Sequence, residues 1–421
     1  MMNEKAGSNR AGLLIFTKYK KMARFKLSTM MLLQYMMYAV WWVPLAAYLT
    51  NLEVGHTQKA LILSSMAIGC IISPVIGMLA DRFFAAQKVL SGLNIVNAGM
   101  LVLAGSTNNP DLLFICLIVA MLGYMPSWGL TSSIAMVHLP AEEFPKVRVF
   151  GSIGWVASGL FSVFFIHFLK LDFDGTNIPF YCGAGVSLFA AFTNLFLPNT
   201  PPLAKGKKIS LIDAFGLGTL KLMKDRNFAV FIIFSFLALL PFAMYYSYFS
   251  EFLLNIKTKY ISVTMNWGVL AEMGFLLLIP GAIKKFGLRK VMIFGLVALV
   301  IRYLSLYTGG VIDQSWMYYI GILIHGLIFG FFFVGGQIYI DKKAPAELRS
   351  QAQGFIFLVT FGVGLLVGNL ICGHIIGYYK SAAGYNWDAI WGITTISSIV
   401  LLVLFMLLFK DEDKTSQINP L

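Results

Sequence analysis

Hydrophobic residues in this chain come in long blocks separated by short polar breaks. Apolar segments run at about 28–50, 58–80, 86–106, 111–138, 147–169, 178–198, 228–254, 262–284, 289–309, 315–340, 351–378 and 386–409. A helix needs about 20 apolar residues to cross a ~30 Å hydrocarbon core, and each block is of that order or longer. The breaks carry turn or charge signals, as at Asn108-Asn109-Pro110, Pro140 to Pro145, Asp172 to Gly175 and Asn199 to Pro202. Twelve such helices with short connections use nearly all of the 421 residues. No room is left for a soluble domain of ordinary size. The expected fold class is therefore an all-α membrane protein, with twelve transmembrane helices in two six-helix bundles.

The longest connection, 199–227, is polar and basic and carries a short amphipathic stretch. It separates six helices from six. Such a split points to two repeats related by an axis along the membrane normal, with a solute held between them near the midplane. The expected organisation is an N-terminal tail (1–26), a first bundle (27–198), a central loop (199–227), a second bundle (228–410) and a C-terminal tail (411–421).

Composition agrees with this reading and excludes others. The chain is 58% hydrophobic and only 12% charged, where a soluble domain is about 25% charged. The net charge of +13 would suit nucleic acid in a soluble protein, but here the basic residues sit between apolar segments. With a cytoplasmic N-terminus, most of them fall in the tails or in loops of the cytoplasmic side. The exceptions are Lys59, Lys170, Lys257, Lys259 and Lys380 outside and Arg302 within a helix. That asymmetry predicts both termini in the cytoplasm. The polar, basic start lacks the apolar core of a signal peptide, so no cleaved leader is expected. The four cysteines (Cys70, Cys116, Cys182, Cys372) are scattered, and neither a metal site nor a disulfide framework is expected.

A few residues carry candidate chemistry. Glu272 lies about ten residues into the eighth segment, close to the midplane. A carboxylate there costs roughly 2.5 kcal/mol or more unless it is protonated or paired. It reads as a proton-coupling or solute-binding group, or as a structural hydrogen bond between helices. Arg302 and His325 are the other deep ionisable residues of that half; Arg302 can pair with a carboxylate or cap carbonyls, and His325 can relay protons or simply pack. Glu251 ends the seventh segment and reads as solvated. Arg148, Ser152 and Trp155 recur at i, i+4 and i+7, on one helical face. Cation, hydroxyl and ring together would suit a solute with hydroxyls and a flat face; packing and anchoring is the plainer reading. Trp41, Trp42, Tyr124, Trp128, Tyr245, Tyr246 and Tyr248 are available for stacking or for packing, and Gln34, Asn94, Asn97 and Asn369 for lining a cavity or bridging helices. After the second segment, Gly77-Met78-Leu79-Ala80-Asp81-Arg82-Phe83 offers a small residue for close helix approach, an acceptor and a cation. Its counterpart, beginning at Gly281, keeps the basic loop and loses the aspartate. Gly77, Asp81 and Arg82 are the expected gating residues.

The Gly77–Phe83 stretch resembles the loop 2–3 motif of the major facilitator superfamily. The chain further resembles the nucleoside:proton symporter family of that superfamily, nearest its branch called "putative nucleoside transporters". The likeness is carried by Trp41-Trp42-Val43-Pro44-Leu45, Ala80-Asp81-Arg82-Phe83-Phe84, Tyr124-Met125-Pro126, Phe144-Pro145 with Arg148-Val149 and Gly151-Ser152-Ile153-Gly154-Trp155, Glu272 ahead of Ile279-Pro280, and Asp341-Lys342-Lys343-Ala344-Pro345 with Ala352-Gln353-Gly354. It implies proton-driven nucleoside uptake across a bacterial inner membrane by a monomer, with the proton as coupling ion and no other cofactor. It implies a binding cavity containing Arg148, Ser152, Trp155, Tyr246 and Glu272. The chain departs from the family pattern where amides are expected in the seventh helix (Ala243, Tyr246), a glutamine in the eighth (Val269) and an aspartate in the tenth (Gly330). An amide-poor, aromatic cavity keeps a sugar or glycoside open as the solute. An enzyme would need a catalytic constellation, and the sequence offers none; a channel or a non-transporting receptor is the remaining rival.

Overall fold

The structure is a computed structural model. It describes residues 2–140, 143–202, 211–345, 348–382 and 384–410, with the side chains of 2–20, 79–83, 211, 212 and 350 outside the described set. Among the described residues, ten helices are long and apolar enough to cross a membrane: Lys21–Asn51, His56–Met78, Ala86–Ser106, Pro110–His138, Phe144–Phe168, Arg226–Asn255, Leu288–Val311, Trp316–Lys343, Gln351–Tyr378 and Trp387–Leu408. A pair bent by 54°, Ile261–Leu276 with Ile279–Phe286, makes an eleventh. The expected sixth is the 17-residue helix Ile178–Asn194, about 26 Å long at 1.5 Å per residue. In chain order these twelve segments are spans one to twelve.

Local chemistry sets the ends. Asn109 caps span four, its side chain accepting from the amides of Asp111 and Leu112, with Pro110 in the first turn where no amide donor is needed. Asp225 caps span seven through Phe228 N, and Asn386 caps span twelve through Ala389 N. Pro44 interrupts span one after Trp42. Gly287, at φ +82°, ends the short second arm of span eight and turns the chain straight into span nine.

The exterior is apolar. Leu160, Phe168, Leu277, Ile396 and Leu407 are each more than 60% exposed. Polar side chains turn inward and bridge helices. Gln34 of span one joins Asn94 of span three and Ser127 of span four, and Asn97 joins Ser187 of span six. Asn369 of span eleven donates to Leu63 O of span two. For all four amides the bridging reading holds.

Spans one to six pack among themselves, as do seven to twelve. The two bundles meet through span two against eleven, five against eight, and one against seven. A shift of six turns the first of these pairs into the second. One bilayer face carries the start of span one, the ends of six and twelve, and the start of seven: Lys26 Nζ reaches Phe196 O, and Asn227 reaches Lys410. On the opposite face, called the far side below, the bundles are sewn together. Lys59 of span two binds Glu251 of span seven at 2.6 Å and Thr50 at 2.9 Å. Asp174, in the loop after span five, accepts from Ser262 of span eight and from Ser162. Burial pushes the Asp174 carboxyl up from its ordinary range, against the pull of the two hydroxyls.

Two sequence expectations change here. Glu251 is not solvated: it is fully buried against Lys59, because span two begins directly beside the end of span seven. Gly77 makes no close helix contact; a Cβ there would meet open space. The close approaches come elsewhere, as at Gly69 against Met121 and Met125. The side chains of Asp81 and Arg82 lie outside the described residues.

Candidate functional site

A cavity lies where spans one, five, seven, eight and ten converge. Trp42, Val43, Trp155, Tyr245, Tyr246, Met265, Asn266, Val269 and His325 line it. Its walls are mostly rings. Tyr38 stacks between Trp42 and Tyr124, at 5.2 and 4.6 Å, with the edge of Trp155 at 5.7 Å. Opposite, Tyr245 and Phe242 stack on His325 at 5.5 and 5.9 Å. Aromatic faces thus stand behind both walls of the cavity.

The first-bundle wall carries the i, i+4, i+7 face of span five. Arg148 sits 4.4 Å over the Tyr35 ring, Ser152 follows half-buried one turn on, and Trp155 reaches the cavity. Glu272, on span eight of the second bundle, lies behind the lining, and its side chain keeps 15% exposure. Arg148 is the cation whose field reaches Glu272 across the interface. Tyr246 completes the set: it lines the cavity, stacks on Phe242 at 5.6 Å and lies 6.0 Å from Trp42. Of the five expected site residues, Trp155 and Tyr246 line the cavity, while Arg148, Ser152 and Glu272 lie outside its lining on spans five and eight. Gly77 is not among the residues lining it.

Behind Glu272 stands a group that the sequence does not connect. His325 Nε2 lies 3.7 Å from Glu272 Oε2. Arg302 Nη2 lies 2.8 Å from His325 Nδ1, and Arg302 Nε donates to Gly321 O at 3.0 Å. Its guanidinium stacks 3.9 Å over Tyr245. Arg302 is fully buried, and among the described residues no carboxylate pairs with it. Of its two expected partners, the carbonyl is present and the carboxylate is absent.

The expectation of an amide-poor cavity also needs correcting. Asn266 lines it, one helical turn before Val269. Its Nδ2 donates across the interface to Val156 O at 3.2 Å and Trp155 O at 3.4 Å, while its buried Oδ1 has no partner. The amide missing at 269 is offset by one three residues earlier. The other departures fall differently. Ala243 packs against Gly368 of span eleven, and Gly330 faces Leu276 and Ile279, so neither replacement opens a gap in the lining. The only sequence signal for Asn266 was an amide in an apolar run.

The comparisons with known proteins agree with this geometry. Residues 21–414 match the family model described as "Nucleoside H+ symporter". The chain belongs to the nucleoside H+ symporter family. Among its relatives, "Putative nucleoside transporter YegT" of Escherichia coli (strain K12) is 36% identical over 92% of this chain and 94% of its own. The xanthosine permease of the same organism is 28% identical over 91% and 95%. A crystal structure of the nucleoside transporter NupG superposes with a TM-score of 0.82 at 23% identity, over 93% of this chain and all of the other. The fold is that of the major facilitator superfamily, and this member of the symporter family is a membrane transporter rather than an enzyme.

Proposed function

We propose that this transporter takes up nucleosides together with protons by alternating access. The observation that carries the reading is the placement of Glu272. It is a carboxylate inside the membrane, facing a cation of the other bundle and bordering a ring-lined cavity. Burying it charged is costly, so the site favours states in which a proton or a partner cation neutralises it. Trp155 and Tyr246 would hold the base by stacking. Ser152 and Arg148 would serve the ribose hydroxyls, and Asn266 Oδ1 is a ready acceptor for one of them. Glu272 would serve as the proton site, set just behind the cavity lining.

The two bundles, 27–198 and 228–410, would rock about this cavity, with Gly77, Asp81 and Arg82 gating the face that carries the termini. The Lys and Arg distribution favours that face as cytoplasmic, in a bacterial inner membrane, with the monomer as the working unit. In that orientation the far-side seal makes this a state closed to the outside.

The test is uptake of labelled uridine and adenosine into proteoliposomes, with and without an inward proton gradient. Gradient-driven accumulation is expected in the wild type. In Glu272→Gln it should fall by tenfold or more, while exchange across a membrane without a gradient persists. Glu272→Gln that still concentrates nucleoside under the gradient would remove Glu272 from coupling. A folded wild type that moves sugars and ignores nucleosides would overturn the substrate.

A further inference from the structure

Arg302 is an expensive residue. Burying a guanidinium in a span is costly, and among the described residues no carboxylate offsets this one. What it does hold is an imidazole. Guanidinium nitrogens only donate. The 2.8 Å contact from Arg302 Nη2 to His325 Nδ1 therefore requires Nδ1 to be the acceptor, with no proton on it. The ring proton is then on Nε2. The Gly321 carbonyl and the Tyr245 face fix the guanidinium from two further sides, and Phe242, Tyr245 and Phe329 hold the imidazole plane by stacking.

His325 Nε2 lies 3.7 Å from Glu272 Oε2, which exceeds hydrogen-bond length. His325 also lines the cavity, whereas Glu272 does not. His325 thus stands between the carboxylate and the solute space with one uncommitted donor. The groups facing it are Glu272 from span eight, Arg302 from span nine and Tyr245 from span seven. Beyond Glu272 lie Arg148 of span five and Tyr35 of span one.

We propose that His325, locked as its Nε2–H tautomer by Arg302, is the donor for which Glu272 and the solute compete. With Glu272 ionised, Nε2–H turns to the carboxylate. A proton arriving on Glu272 makes it a weaker acceptor, and Nε2–H turns to an acceptor on the solute. The proton stays on Glu272 throughout; the imidazole keeps its own and changes only its partner. Coupling then amounts to one donor shared by two acceptors. Arg302 is a positioning residue and His325 a solute-binding one. This rests on the uptake reading above and deepens it.

The experiment has two arms on the full chain. The first is the ¹⁵N spectrum of ring-labelled histidine, with His325 assigned from its loss in His325→Gln. It needs no solute. A bare Nδ1 and a protonated Nε2 are expected at neutral pH, with the Nε2 resonance moving in Glu272→Gln. A proton on Nδ1, or an Nε2 resonance indifferent to Glu272→Gln, would overturn the proposal. The second arm is uridine uptake in proteoliposomes. His325→Phe keeps the stack and removes the donor; His325→Gln keeps a donor. Loss of one hydrogen bond in a buried site should raise the uridine KM about tenfold in the first and change it far less in the second. Equal KM for wild type and His325→Phe would sink the solute half of the idea. If the wild type does not accumulate uridine at all, the nucleoside reading fails, and the spectral arm still decides the tautomer and the Glu272 contact.

Discussion

Two buried charge clusters sit at different depths and are built in opposite ways. On the far side, Lys59 and Glu251 join the two bundles at 2.6 Å, with both side chains almost without exposure. At the cavity, Arg302, His325 and Glu272 lie within one bundle, and their last link is 3.7 Å long. The first cluster pairs opposite charges at close range. It leaves Glu251 Oε2 without a partner, whereas the second leaves more polar atoms uncommitted: Arg302 Nη1, Asn266 Oδ1 and the Tyr245 hydroxyl. A closed pair rewards one arrangement of the bundles and must break when the far side opens. An incomplete chain has capacity left for something that arrives. The difference separates the residues that hold a conformation from those that meet the cargo.

The sharpest way to break this comparison is at Lys59. Lys59→Met leaves Glu251 buried without its cation, and removing one partner of a buried ion pair costs about 3–5 kcal/mol. The variant should melt at a clearly lower temperature in detergent, or open its far side, which labelling of a single cysteine introduced at His56 would report. The double variant Lys59→Met with Glu251→Leu should recover most of the loss, because no charge is left stranded. If the single variant is as stable as the wild type and no more open, the pair holds nothing. At the cavity, Asn266→Leu should act on binding instead. It removes an acceptor from the lining and two cross-interface donations, so uridine KM should rise about tenfold while the melting temperature moves little. A large fall in stability with unchanged KM would transfer Asn266 to the structural cluster.

How much of this was legible in the chain differs between the same two regions. Eleven of the expected spans and the short sixth could be read from apolar blocks, and the break before span four from Asn108-Asn109-Pro110. Lipid-facing and span-ending patterns are local, and local sequence encodes them. Arg148, Ser152 and Trp155 were legible as one face because helical spacing alone puts them there. Glu272 was legible because a lone carboxylate at the midplane is costly. The Lys59–Glu251 pair was not legible. The partners are 192 positions apart, and each sits at a helix end, where a charge usually meets water. The contact between Arg302 and His325 spans 23 positions across two neighbouring helices; their depth could be read, but not which way each side chain turns. Gly77 fails for a related reason: a glycine permits close packing, and only the arrangement of the bundles decides whether a neighbour is there.

The smallest effect is expected from the other far-side contact, and it sharpens the comparison by adding pH. Asp174 is half-buried and accepts from Ser162 and Ser262, in a loop that meets span eight of the opposite bundle. Burial raises its carboxyl pKa in the folded protein. A carboxyl raised in this way binds its proton more tightly folded than unfolded. Its contribution to stability is therefore fully present below the ordinary aspartate value, about 3.9, and is lost as pH rises through the raised one. The far-side seal should be tighter in acid. Asp174→Asn keeps the shape and removes the titration, so the wild type should lose melting temperature relative to this variant as pH rises from about 4. A constant difference across that range would mean that the two hydroxyls offset the burial and that this contact holds the bundles without sensing protons. Beside the Lys59–Glu251 latch, a titrating Asp174 would make proton supply on the far side favour closure there, independently of Glu272.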